Sequence, residues 1–415
     1  MLSRIKWTTK SCPSYVRQKM ERVLFLINAS EFGGLEIVLL DWLSRVDYSK
    51  VSVVLGTRGD ALAERLAHSG LPVGNIKLTV SADEPFWKAF PKWLRALSSI
   101  RPAKTVLLEG NIGEFNLMAV LATWWSTRGN TFLFAGGWGR TPASEPVPSA
   151  ERKLHYGFLP GIGLYRYKEI LEQRLRGRLL RRTFVASQAL KDNLLDHFGY
   201  PASRTSVLYH GVDTRRFQPS MAERIAYRRV QCIPDHATVI VSHGRLAPVK
   251  RVDRILRAFE VLSAENANLW LLITAYGTYK EEVERQVAST SAHRRIKLIG
   301  FHPDASKILK AADIYVLASD NEGFGVALVE AMSTGLVCVA TNCQGPAEII
   351  VNGENGILVP TADEEVLTGL RRALGLSPEE RARLVEQARK TVEDRFEIDA
   401  AVRRALDSME IVSRS

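Results

Sequence analysis

Two loops in this chain hold the residue types that could do chemistry. The first is Ser319-Asp320-Asn321-Glu322-Gly323-Phe324-Gly325-Val326-Ala327-Leu328-Val329-Glu330, which joins an apolar run of strand length, Ile314–Ala318, to a helix starting near Gly325. Gly323 and Gly325 let the main chain approach a ligand closely, and the helix start directs unpaired N–H groups and the positive dipole end at an anion. Glu330 lies about one and a half turns into the helix, too far along to meet that anion but placed to accept hydrogen bonds from hydroxyls beside it. Glu322, on the turn, can meet hydroxyls on the other side. An anion clamp between two hydroxyl acceptors describes a nucleotide diphosphate sugar. Alone, the same stretch reads equally well as a surface loop before an ordinary helix, because glycine-bearing strand-to-helix turns are common in α/β proteins.

The second loop tips that balance. An apolar run, Thr238–Ser242, leads into His243-Gly244-Arg245-Leu246-Ala247-Pro248-Val249-Lys250-Arg251. Gly244 gives the turn, Arg245 presents a fork of donors suited to phosphate oxygens, and Lys250 adds a point charge from the start of the next helix. Arg245 and Lys250 after one strand, with Glu322 and Glu330 after another, can converge on one diphosphate.

The elements that must position these loops form two series. Val23–Ile27 is an apolar run ending in Asn28-Ala29-Ser30-Glu31-Phe32-Gly33-Gly34, and Leu35, Val38, Leu39, Trp42, Leu43 and Val46 follow at helical spacing. Strand-like runs recur at Val51–Leu55, Thr105–Leu108, Thr131–Phe134, Thr183–Ala186 and Ser206–Tyr209. A second series runs through Thr238–Ser242, Leu269–Thr274, Ile296–Ile299, Ile314–Ala318, Val337–Ala340 and Gly356–Val359. Strands alternating with helices predict an α/β protein of two Rossmann-like, doubly wound domains with a ligand in a central cleft. Glycine and proline punctuate Tyr209–Pro219, where the junction is expected. The domains are then 1–212 for an acceptor, 213–395 for a nucleotide sugar, and 396–415 as a C-terminal helix packing back on the first. Ser377-Pro378-Glu379-Glu380 reads as a helix cap with an N1 proline and an acidic first turn.

At 415 residues the chain exceeds what one core usually holds, which agrees with two domains. Apolar residues at 46% and charged ones at 24% are ordinary for a globular protein, and no apolar run reaches the ~18 residues of a membrane span. The first twenty residues carry basic groups without an apolar core, so no signal peptide is expected, and a cytoplasmic location is. Cys12, Cys232, Cys338 and Cys343 are scattered without a metal-binding or redox spacing, and Cys338 is expected as a buried thiol.

The net charge of +11 calls for an acidic partner. Residues Glu151–Arg182 concentrate Arg152, Lys153, Arg166, Lys168, Arg174, Arg176, Arg178, Arg181 and Arg182 among aromatic and aliphatic groups. That suits an anionic membrane surface, and equally a solvated helix face. Seven of the eight tryptophans precede residue 140; Trp87 and Trp93 are candidates for an apolar or lipidic contact or for core. No G-x-G-x-x-G follows Val23–Ile27, which argues against a dinucleotide site, and no nucleic-acid-binding module is recognisable.

With these residues in place the sequence resembles the retaining GT-B glycosyltransferases of the large group 1 family, the type that builds bacterial surface polysaccharide and lipopolysaccharide. The resemblance is carried by Gly244-Arg245-Leu246 with Lys250, Glu322-Gly323-Phe324-Gly325 with Glu330, His210-Gly211-Val212-Asp213 with Phe217 and Pro219, and Gly33-Gly34-Leu35-Glu36. It implies that Arg245 and Lys250 bind the diphosphate, Glu330 the ribose and Glu322 the sugar, that amides near Phe324–Val326 complete the phosphate site, and that the Gly33–Gly34 loop closes over it. Gly244, Gly323, Tyr276 and Phe301 complete the binding set. No metal and no cofactor beyond the nucleotide sugar are implied. The implied acceptor is a hydroxyl of a lipid-linked or membrane-associated glycan, on the inner face of the cytoplasmic membrane. The pattern departs in three places: Ala135-Gly136-Gly137-Trp138-Gly139 stands where many relatives carry a histidine, Ala275-Tyr276-Gly277 where they carry G-x-G, and His210 where they carry asparagine. The first departure keeps open a catalytically silent relative that binds sugar nucleotides as a sensor or partner.

Overall fold

The computed structural model describes residues 20–27, 34–57, 70–77, 94–95, 97–98, 100–109, 117–136, 162–274, 276–277, 279–302 and 304–412. The chain divides into two compact units. Unit 1 comprises Met1–Phe184, Asn193–Ser206 and Ala405–Ser415; unit 2 comprises Val185–Asp192 and Val207–Arg404. Each is a Rossmann-like α/β domain, as the alternating strands and helices predict.

Unit 1 is built on a seven-stranded sheet of order β3-β2-β1-β4-β5-β6-β7. Its strands are β1 (Glu21–Ile27), β2 (Val51–Thr57), β3 (Gly74–Lys77), β4 (Lys104–Glu109), β5 (Thr131–Ala135), β6 (Arg182–Val185) and β7 (Thr205–Val207). The central strands pair in parallel. Residues Val23–Ile27 and Phe132–Ala135 are almost wholly buried, as expected where helices cover both faces of a parallel sheet. β3 was not expected: Gly-Asn-Ile-Lys offers one apolar residue, and its pairing with β2 makes it a strand. After the helix Ile398–Ser408 the chain reaches Val412, whose carbonyl accepts from the Asp47 amide at 3.0 Å. Lys104, nearly buried, donates to the Glu410 carbonyl and pairs with Glu21 at 3.2 Å.

The helix Ile162–Leu179 carries part of the basic stretch. Arg174 and Arg178 are exposed, but Arg176 is wholly buried and donates to Gln173 Oε1 at 2.8 Å. Arg176 is therefore interior rather than part of a basic face, because Gln173 and the Tyr200 hydroxyl, 3.0 Å from the same oxygen, give it a polar niche. Residues 151–161 lie outside the described set, as do Trp7, Trp87, Trp93 and Trp138. Trp42 is core, edge-on to Phe134 at 5.2 Å, whereas Trp125 is 71% exposed. Among the described residues no helix is long and apolar enough to cross a membrane.

Unit 2 has a six-stranded sheet of order β10-β9-β8-β11-β12-β13. Its strands are β8 (Thr238–Ser242), β9 (Leu269–Thr274), β10 (Ile296–Ile299), β11 (Ile314–Leu317), β12 (Val337–Thr341) and β13 (Ile357–Val359), all joined in parallel. The chain lays β8, β9 and β10 outward on one side, then returns to lay β11, β12 and β13 outward on the other. β8 and β11 are thus adjacent while their onward connections diverge, which is the topological switch point of a doubly wound sheet. The seam there is short. Two residue pairs, Ile314 with Ile240 and Tyr315 with Val241, join β11 to β8, against five between β8 and β9. The helices Val252–Glu265 and Glu365–Leu374 contribute Ile255, Phe259, Leu262, Val366 and Leu370 to the core on this sheet. The helix Pro378–Arg395 opens on the expected cap: Ser377 Oγ accepts from the Glu380 amide and Glu380 Oε2 accepts from the Ser377 amide.

Candidate functional site

Both chemically loaded loops leave the carboxyl ends of the strands at the switch point of unit 2, the one following β8 and the other β11. Ligands of open α/β sheets bind at such a place because the diverging connections leave a crevice there.

The β8 loop is shaped by two glycines. Gly244 has φ +147°, and its amide donates to Thr274 Oγ1 at 3.0 Å while the same hydroxyl donates to the Gly244 carbonyl at 3.1 Å, tying the loop to β9. Gly277 has φ +108°, and a Cβ there would stand 2.7 Å from the Leu246 carbonyl and 2.8 Å from Arg245 Cγ. The Leu246 amide donates to the Tyr276 carbonyl at 2.8 Å. Arg245 projects from this tie into solvent. Lys250 ends a short 3-10 turn, Pro248–Lys250, just ahead of the helix Val252–Glu265, and its ammonium donates to Glu322 Oε2.

The β11 loop turns at Gly325, φ +103°, and enters the helix Val326–Thr334. The amides of Val326 and Ala327 open that helix, where no intrahelical acceptor reaches them. Gly323 is buried. Phe324 is 2% exposed, and its ring packs among Tyr209, His210 and Phe396 at centroid distances of 5.4 to 5.7 Å. Its main chain, not its ring, is therefore what it offers at the turn. A third loop braces this one from behind. The Gly345 amide donates to the Glu322 carbonyl at 3.0 Å, and Thr341 Oγ1 donates to the Ser319 carbonyl at 2.6 Å.

Glu330 is buried, only 7% exposed, and its Oε2 lies 3.9 Å from His243 Nε2. The His243 ring is pushed down to about pKa 4, chiefly by burial and further by His302, so it faces Glu330 as a neutral imidazole. Burial alone pushes His210, packed against Phe324, down to about 4 as well. Tyr276 and Phe301 stand at the ends of β9 and β10 with rings edge-to-face at 5.5 Å; Phe301 is half exposed. Cys338, behind the loop, is fully buried and its thiol is pushed well up by burial; Cys343, beside Thr341, is pushed up to about 11, again by burial first.

The structure thus gathers Gly244, Arg245, Lys250, Glu322, Gly323, Gly325, Val326 and Glu330 about one switch point, with Tyr276 and Phe301 on the neighbouring strand ends. Gly33 lies outside the described residues, and Gly34 opens the helix Gly34–Arg45 of unit 1. Residues 137–139, where a histidine is replaced, also lie outside. Sequence reading missed His243, whose signal was its place between the end of β8 and Gly244. It also missed Gly345 and the aspartates and arginines behind the loops, which carry no local signal.

The two histidines give a pH expectation. A ring with a folded pKa near 4 and an unfolded pKa near 6.5 takes up its proton more readily once unfolded. Stability is therefore full above pH 6.5 and falls as the pH drops towards 4. Thermal unfolding between pH 7 and 4 should show this slope, and the double variant His210→Gln/His243→Asn should flatten it. An unchanged slope in the double variant would assign it to other groups.

The profile described as Glycosyl transferases group 1 matches residues 223–391, and that described as Glycosyltransferase Family 4 matches residues 32–216. An uncharacterised glycosyltransferase of Methanocaldococcus jannaschii is 27% identical over 56% of this chain and 62% of its own length. The amylovoran biosynthesis glycosyltransferase AmsK of Erwinia amylovora is 27% identical over 51% of this chain and 52% of its own. The chain thus spans about two fifths to three fifths of the length of the curated relatives it matches. Among solved structures, Anabaena HepE in complex with UDP and glucose superposes with a TM-score of 0.73 at 19% identity, covering 94% of this chain and 99% of that one. The likeness is one of fold, the two-domain GT-B architecture.

Proposed function

Since the chain belongs, through residues 223–391 and 32–216, to the group 1 and family 4 glycosyl transferases, we propose that it moves a sugar from a nucleotide diphosphate sugar to a hydroxyl, with retention of configuration. The observation that carries this reading is the meeting, at the unit 2 switch point, of a cationic loop with a loop that offers a helix N-terminus and two carboxylates.

The chemistry follows from charge. As the bond from the anomeric carbon to the diphosphate oxygen breaks, negative charge grows on that oxygen, and fixed positive groups near it lower the barrier. Arg245 and Lys250 supply those groups, Arg245 as a planar fork and Lys250 as a point charge. The open amides of Val326 and Ala327 add donors along the helix dipole. Glu330, buried beside a neutral imidazole, holds the ribose hydroxyls; Glu322 holds hydroxyls of the transferred sugar. A diphosphate reaching Lys250 competes with Glu322 for its ammonium, which frees that carboxylate to accept from the sugar. The acceptor's own hydroxyl attacks the anomeric carbon and passes its proton to the departing diphosphate oxygen, so no side chain is assigned as its base.

The acceptor is a lipid-linked or membrane-associated glycan of envelope or exopolysaccharide synthesis, met at the cytoplasmic face. Support for this comes from the +11 net charge and from relatives such as AmsK, named for amylovoran biosynthesis.

The test is a panel of UDP-, GDP- and ADP-sugars scored by thermal shift and slow donor hydrolysis, on the parent chain and on Glu330→Ala and Arg245→Ala. One nucleotide sugar should stabilise the parent and release sugar, and each variant should lose both effects. Anomeric analysis of the glycoside formed would establish retention. Nucleotide binding without sugar release, even with membrane extract as acceptor, would instead make this a silent sugar-nucleotide binder.

A further inference from the structure

Behind the two loops lies a cluster of charges with no direct place in the chemistry above. Arg254, on the helix Val252–Glu265, has a side chain only 5% exposed. Its guanidinium meets Asp320 Oδ1 at 2.6 Å, Asp363 Oδ1 at 2.8 Å and the Ala318 carbonyl at 3.1 Å. Arg251 meets Asp253 at 3.0 Å, Asp363 at 2.8 Å and Asp320 at 3.3 Å. Arg257 closes the group on Asp253 and Asp363, each at 3.0 Å. The Asp320 amide donates to the Val249 carbonyl at 2.9 Å. Three loops, those after β8, β11 and β13, are therefore held together by two arginines.

Arg251 is also strained. Its φ and ψ are both 47°, a left-handed conformation that costs a side-chain-bearing residue ~1 kcal/mol and persists only where its surroundings enforce it. That conformation sends Arg251 to the carboxylates while its predecessor, Lys250, turns to Glu322. Consistently, Asp253 raises the Arg251 guanidinium, and Arg254 holds Asp363 below the usual carboxylate range.

We propose that Asp320 is a positioning residue: gripped by Arg251 and Arg254, it fixes the Glu322–Gly325 turn and the Val326 helix start against Lys250, so that both loops meet one diphosphate. This rests on the transferase reading for the ligand but not for the geometry. Asp320 precedes Glu322 by two positions and Arg251 follows Lys250 directly, so release of this contact lets both ion-pair partners move.

Three arginines face three aspartates, so the cluster adds no net charge near the anion site. Asp320→Asn leaves one positive charge uncompensated. If the cluster mattered only through its field, that variant would bind an anion more tightly. If Asp320 positions the loops, binding weakens instead, by ~10-fold or more, as misplaced groups lose their contacts.

The experiment uses the full chain and its Asp320→Asn and Asp363→Asn variants, with Glu265→Gln, which cuts a surface pair with Arg371, as control. UDP, GDP and ADP binding is measured by calorimetry, and amide hydrogen exchange is followed across 245–251 and 320–328. Weaker binding and faster exchange in both segments are expected for Asp320→Asn, the same trend in milder form for Asp363→Asn, and no change for Glu265→Gln. Tighter or equal binding with unchanged exchange would overturn the proposal. If the parent binds none of the three nucleotides, the transferase reading fails, and the exchange rates alone decide whether Asp320 positions the turn.

Discussion

Replacing Lys250 with alanine should lower donor turnover by ~10²–10³-fold, the loss typical when one preorganised charge-stabilising donor is removed. Lys250 is the cation that the fold delivers to the turn itself: its side chain is 27% exposed and held on Glu322, which is 18% exposed. The variant removes the ammonium from the leaving diphosphate and strips Glu322 of its partner, so the carboxylate meets an incoming diphosphate uncompensated. The first effect acts mainly against the transition state, where charge grows on the leaving oxygen, and the second weakens nucleotide binding as well. kcat should therefore fall further than KM rises, and Lys250→Arg should recover part of kcat. Steady-state donor hydrolysis with the preferred sugar nucleotide decides this. A fall of less than tenfold would move Lys250 off the phosphate.

Gly345→Ala should be the most damaging small substitution in unit 2. A Cβ at this position would lie 2.2 Å from the Phe324 carbonyl oxygen and 2.5 Å from its carbon and Cα. All three are main-chain atoms, so no side chain can swing aside. Either the helix Gln344–Ile349 retreats, breaking the bond from the Gly345 amide to the Glu322 carbonyl, or the Glu322–Gly325 turn moves outward. Overpacking of this kind costs roughly 1–3 kcal/mol, and backbone against backbone belongs at or beyond the upper end. The expected result is a lowered Tm together with loss of nucleotide-induced stabilisation at temperatures where the chain is still folded. Gly244→Ala is the instructive contrast: a Cβ there meets nothing within 4 Å, so only the strain of φ +147° acts, and the fall in Tm should be smaller. Equal melting points for Gly345→Ala and the parent would mean that the turn has room the structure does not show.

The sheets were legible in the sequence because their strands are buried on both faces and read as unbroken apolar runs, Thr238–Ser242 and Val337–Thr341 among them. β3 was not, since a four-residue edge strand with a single apolar side chain owes its existence to its neighbour. The loops were legible through residue types alone: a glycine, an arginine and a lysine after one strand, glycines and glutamates after another. What stayed hidden are contacts that only the crossing of loops creates. His243 meets Glu330, Arg254 meets Asp320, and Gly345 lies under Phe324, each pair joined across strand ends and not by helical or strand spacing. Arg176 shows the opposite error. Its charge placed it on a surface face by composition, while Gln173 and the Tyr200 ring around Gly177 give it an interior.

The short seam between β8 and β11 has one more consequence. Cations and aromatics, Arg245, Lys250, Tyr276 and Phe301, all spring from the bank formed by β8, β9 and β10; both carboxylates, Glu322 and Glu330, spring from the opposite bank. The crevice is thus polarised across its width, like a slot with one positive and one negative jaw. A ligand that carries both an anion and hydroxyls is therefore gripped across the slot as well as along it, with its phosphates leaning on the cationic loop and the helix start and its hydroxyls on the carboxylates. Such a slot turns one face of a ligand towards each bank before any specific pocket is filled, and the strand order places the two banks side by side.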